Sequence, residues 1–130
     1  QGTKLLADRS HALGIALTGD KKIYTAGYAN LLSMPEFFDI DVVRNVLSLI
    51  EEANLIDEIF ESVNSENPIH LVFGPELGNR YLEPVGLIFM EIQTAGMQCK
   101  IGVLGSTRFE YEYLIPMMRY FRGVVEEMTE

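Results

Sequence analysis

The stretch Ile101-Gly-Val-Leu-Gly-Ser-Thr-Arg-Phe-Glu-Tyr-Glu-Tyr-Leu-Ile-Pro116 decides the fold, because it passes from a strand into a helix through a polar turn. Cys99, Ile101 and Val103 alternate with Gln98 and Lys100, the period of a strand with one apolar face, and Gly102 leaves room for a neighbouring backbone or side chain. Gly105 then supplies a flexible turn. Thr107 followed by Glu110 fits a capping box, which predicts that the helix starts there. Phe109, Tyr113, Met117, Phe121, Val124 and Met128 recur at helical spacing, so one face of this helix should pack on a core, and Pro116 should kink it.

Working back along the chain, Val85 to Gln93 is apolar at nearly every position, as a central strand covered on both faces would be. The turn signal Ala95-Gly96 joins it to the signature strand as an antiparallel hairpin. Ile69 to Phe73 reads as a third strand, with Gly74 to Pro84 as an exposed connection after it. Asp39 or Asp41 can cap a helical stretch through Val43, Val46, Leu47 and Ile50, which continues with Ile56, Ile59, Phe60 and Val63 after a break near Ala53-Asn54. Ile23 to Thr25 is short and extended, and Ala29 to Ser33 is a brief helix halted by Pro35. Residues 3–18 carry Leu5, Leu6, Ala12, Leu13, Ala16 and Leu17 at helical spacing, with a strand as the competing reading because Gly14 weakens a helix. The pattern is α+β: a small mixed or antiparallel sheet with flanking helices. Only three strands are convincing, so part of the sheet is expected to lie outside the chain.

Composition bounds the function. At 130 residues and 48% apolar, the chain can bury a core of its own. Ten basic residues face nineteen acidic ones, a net charge of −9, which argues against nucleic-acid binding by this polypeptide. The longest apolar run falls far short of the roughly 20 residues of a membrane span, and no signal peptide is evident, so a cytoplasmic protein with no membrane partner is expected. Cys99 reads as a small core residue, and His11, His70 and Cys99 lack metal-ligand spacing.

The signature segment resembles the heat-inducible transcription repressors of the HrcA family, which carry Ile-Gly-Val-Ile-Gly-Pro-Thr-Arg-Met-x-Tyr before their last helix. The matching residues are Ile101, Gly102, Val103, Gly105, Thr107, Arg108 and Tyr111. Tyr24, Gly27, Asn30, Leu31, Leu32, Pro35, Glu36 and Phe37 are similar to that family's Tyr-x-x-Gly-x-x-Asn-Leu-Leu-x-x-Pro-Glu-Phe, and Gly74 with Glu76 to its Gly-x-Glu-Asn. Ser106, Phe109, Leu77 and Val85-Gly86 depart from the usual residues. The likeness spans about residues 20–130. It implies a GAF-like regulatory domain over residues 23–130, preceded by a helix and turn in residues 1–22, with the winged-helix DNA-binding domain absent. It also implies a homodimer that represses chaperone operons by binding an inverted-repeat operator through that absent domain, with activity modulated by the GroE chaperonin.

The best candidate contact site is the turn at Thr107 and Arg108, since helix-start amides and a guanidinium suit carboxylate or phosphate. Its plainer reading is a helix cap with Arg108 paired to a nearby Glu. Glu76 and Tyr111 are candidates beside it, for a domain or partner interface. Asn30 is another, with a competing role in satisfying loop backbone groups. Two other functions fit the residues: a small-molecule sensor with a pocket between the sheet and residues 74–84, or a dimerisation module of another regulator. No nucleophile-base pair, phosphate-binding glycine loop or metal cluster appears, so an enzyme and a bound cofactor are not expected.

Overall fold

A computed structural model describes residues 2–62, 68–77, 80–94 and 97–128. Helix α1 (Gly2–Ser10) leads into strands β1 (Leu13–Leu17) and β2 (Ile23–Ala26). Helix α2 (Tyr28–Leu32) and a 3-10 turn (Pro35–Phe38) follow, then helices α3 (Ile40–Glu51) and α4 (Ala53–Ser62). After β3 (Ile69–Phe73), two 3-10 turns (Gly74–Leu77 and Arg80–Leu82) lead to the long strands β4 (Val85–Thr94) and β5 (Met97–Ser106), and helix α5 (Tyr111–Met128) closes the fold.

Among the described residues, five strands form one antiparallel sheet in the order β2-β1-β5-β4-β3. This is the expected α+β, GAF-like arrangement. Leu13, Ile15, Leu17, Leu87, Phe89 and Leu104 point to one face, where Val46, Leu49 and Ile50 of α3 and Ile56 and Ile59 of α4 cover them. Ile88, Met90, Ile101 and Val103 point to the other, beneath Leu6 of α1 and Leu114, Met118 and Phe121 of α5. Coverage of both faces explains why β4 is apolar at consecutive positions. The central strand, however, is β5. It pairs with β1 and β4, so β4 lies one place nearer the edge.

The predicted helix over residues 3–18 divides into α1 and β1. His11, in the left-handed region at φ 55°, turns the chain between them. Leu13, Ala16 and Leu17 fit a helical face, but Leu13, Ile15 and Leu17 fit a strand face equally well, and a place between β2 and β5 decides in favour of the strand. Gly14 is required on the other face, because a Cβ there would collide with the carbonyl oxygen of Thr3 in α1. Pairing of Leu17 with Ile23 and Gly14 with Ala26 ties the first 22 residues into the same sheet as the rest. The sheet thus has two strands more than the three that were convincing in the sequence.

Elsewhere the local chemistry is visible. Asp39 accepts a hydrogen bond from the Asp41 amide at 2.9 Å and caps α3, and the break before Ala53 separates α3 from α4. Gly102 sits against β4, where a Cβ would strike the Ile88 carbonyl oxygen. Register pairs Thr94 with Met97, while the predicted turn at Ala95-Gly96 lies outside the described residues. Helix α5 continues through Pro116. The connection 74–84 is not simply exposed: two of its own residues, Leu77 and Leu82, are buried in the core. No helix among the described residues is long and apolar enough to cross a membrane.

Candidate functional site

Strand β5 runs on to Ser106, paired with Val85, so Gly105 lies in the strand rather than in the turn. Its missing side chain makes room for Met34 and the Phe109 ring, which a Cβ would approach to 3.1 and 3.2 Å. Helix α5 begins only at Tyr111, and the expected Thr107–Glu110 capping box does not form. Thr107 instead donates its amide to the Pro84 carbonyl at 3.0 Å, while the Glu110 carbonyl accepts from the amides of Tyr113 and Leu114 at 3.0 and 2.9 Å. Ser106 caps the turn: its Oγ accepts from the Arg108 amide at 3.0 Å.

That hydroxyl also donates to the Glu36 carboxylate, which closes a small network. Arg108 Nε meets Glu36 Oε2 at 2.7 Å and Arg108 Nη2 meets Oε1 at 2.9 Å, a two-pronged pair. The Arg108 hydrogen bonds hold the Glu36 pKa well below its ordinary value, at about 2, despite the opposing effect of burial and with further help from Ser106. The geometry of Glu36 is set by its neighbours: Pro35 starts a 3-10 turn, and Phe37 is buried in the core behind it.

Tyr111 lies behind the turn, its hydroxyl donating to the Thr107 carbonyl and its ring edge-on to Phe73 and Phe109, with centroids 5.9 and 6.0 Å away. Burial pushes its phenol pKa up. Asn30 lies on α2 and donates its side-chain amide to the carbonyls of Ala7 and Ala12, at 3.2 and 3.1 Å. It thereby satisfies the C-terminal end of α1, and Gly27, at φ 93°, packs against Ala7 and Ala12 beside it. Glu76 accepts from the Phe73 amide at 3.4 Å. The structure therefore joins Arg108 to Glu36 rather than to Glu76. Glu36 is the member of the site that sequence reasoning placed only within a shared block; the available signal was a lone acid between a helix-ending proline and a core phenylalanine.

A cleft of about 500 Å³ opens beside this network, between the end of α1 and the start of α5. Ser106, Arg108, Phe109 and Glu110 form one wall, and Arg9, Ser10 and His11 the other. Met34, Tyr113 and Leu114 complete it.

The family model for the HrcA protein C terminal domain matches residues 2–115. The heat-inducible transcription repressor HrcA of Pelotomaculum thermopropionicum is 26% identical over 112 residues, covering 85% of this chain and 32% of that protein. Its counterpart in Listeria welshimeri is 32% identical over 104 residues, covering 79% of this chain and 30% of the relative. This chain thus spans about a third of the length of these relatives. Among solved structures, one described as a hypothetical protein superposes with a TM-score of 0.61 at 20% identity, over 81% of this chain and 31% of its own. Myxococcus xanthus MglB superposes at 0.53 with 12% identity, over 98% of this chain and 90% of its own, a likeness of fold alone.

Proposed function

Because this chain belongs to the HrcA C-terminal domain family, we propose that it is the regulatory domain of a heat-inducible transcription repressor. In this reading the operators of chaperone operons are bound by a separate N-terminal winged-helix domain of a homodimer, and GroE chaperonin modulates activity through the stability of the regulatory domain. Heat diverts chaperonin to unfolded clients, the marginally stable repressor loses its support, and the operons are released. This domain acts by binding and folding, not by catalysis.

The family match over residues 2–115 carries the reading. The charge supports the division of labour, since a domain with net charge −9 is poorly suited to neutralising phosphates. Leu32, Phe38 and Ile40, respectively 50%, 73% and 65% exposed, put apolar surface on consecutive elements and support a role in contacts with other chains or domains.

The contact role of the Arg108 turn is tested by Arg108→Ala in the full-length repressor, with a chaperone-operon reporter read across growth and heat-shock temperatures. The proposal expects release at a lower temperature than in the wild type. Unchanged repression at every temperature would remove the turn from the regulatory mechanism.

A further inference from the structure

The cleft beside α5 has a chemistry that packing alone does not require. Glu36 occupies Nε and Nη2 of Arg108 and fixes the guanidinium plane, while the side chain remains 69% exposed. The arginine is thus already oriented, with its remaining N–H groups accessible. Lining the same cleft from the end of α1 are Arg9, exposed and without an ion pair among the described residues, and His11, whose side chain is carried on a left-handed backbone. The same cleft is also lined by apolar side chains, Met34, Phe109 and the buried Leu114. A volume of about 500 Å³ lies in the range of small-molecule pockets.

We propose that this cleft binds a small organic acid, one carboxylate on an apolar body, with the carboxylate held by Arg9 and the accessible edge of Arg108. Glu110 on the same wall, together with Glu36 behind Arg108, opposes a multiply charged anion such as phosphate. The apolar lining favours a ligand with a hydrocarbon portion over a bare ion. The residues lining this cleft lie outside the connection 74–84, so the site differs from the pocket expected there.

The test titrates benzoate and hexanoate, the uncharged benzamide and hexanamide, and inorganic phosphate into the isotope-labelled chain, followed by amide chemical shifts. The proposal expects saturable shifts from the acids at residues 9–11 and 108–113, with the amides about tenfold weaker or more and no saturation by phosphate. Arg9→Met, at an exposed position outside the Glu36 network, should keep the spectrum of the folded chain and weaken acid binding about tenfold. Equal binding of acids and amides, saturation by phosphate, affinity unchanged in Arg9→Met, or no saturation by any acid up to about 10 mM would each overturn the proposal.

Discussion

Arg108 and Glu36 lie 72 positions apart and meet through two hydrogen bonds of 2.7 and 2.9 Å, so this ion pair, together with the Ser106 hydroxyl on the same carboxylate, fastens the turn before α5 to the 3-10 turn before α3. The carboxylate is the enclosed partner, with 14% of its side chain exposed against 69% for the arginine. Solvent screening on the arginine side reduces what the pair contributes. Glu36→Gln should nevertheless lower the melting temperature by roughly 3–6 °C, because it weakens three hydrogen bonds together. Differential scanning fluorimetry checks this, and an unchanged melting temperature would mean that the turn is held by packing alone.

The same pair predicts an acid limb. Glu36 has a folded pKa of about 2 against an ordinary 4.5, so its contribution is present above the ordinary value and is lost as pH falls from 4.5 towards 2. Urea denaturation at steps through this window should show wild-type stability falling more steeply than that of Glu36→Gln. Parallel curves for the two proteins would contradict the assignment.

Lys100 is a second long-range tie. Its ammonium reaches Asp57 at 3.1 Å and Glu61 at 2.6 Å on α4, with its side chain 11% exposed. Burial opposes the charge, yet the hydrogen bonds to Glu61 and Asp57 outweigh it and raise the pKa. Its contribution is therefore complete below the ordinary lysine value and is lost as pH rises through the raised one. Lys100→Ala should cost about 1–3 kcal/mol at neutral pH, whereas Lys100→Met should recover much of that by keeping the buried aliphatic stem. Chemical denaturation of both variants separates the stem from the charge.

Glycine substitutions should give opposite signs. Gly102→Ala places a Cβ against the Ile88 carbonyl and 2.8 Å from Phe89 Cα, a backbone clash expected to cost about 2 kcal/mol or more. Gly123→Ala on α5 meets no atom within 4 Å and should stabilise by about 0.5–1 kcal/mol. Denaturant midpoints measured side by side test both signs.

The legible parts of the fold were those with a single period. Helix α5 packs through Leu114, Met118 and Phe121 and leaves the expected Tyr113 half exposed, whereas the apolar run of β4 declared itself, as did the Asp39 cap. Leu13, Ala16 and Leu17 did not, because they fit a helix as well as a strand, and only a place beside β5 distinguishes the two. The capping box failed for a related reason. Ser106 took over the turn through Glu36, a partner 70 residues away that no local pattern reveals. Asn30 was easier to read, since an amide beside a left-handed glycine is a local feature, although its acceptors Ala7 and Ala12 lay inside the misread segment.

The proposed dependence of the repressor on chaperonin through this domain can be measured by titrating the folded chain against the GroE chaperonin with and without an unfolded competitor client. Saturable binding is expected, displaced by the client and strengthening as the chain approaches its melting temperature. Absence of binding by a chain shown to be folded, up to and through that temperature, would contradict it.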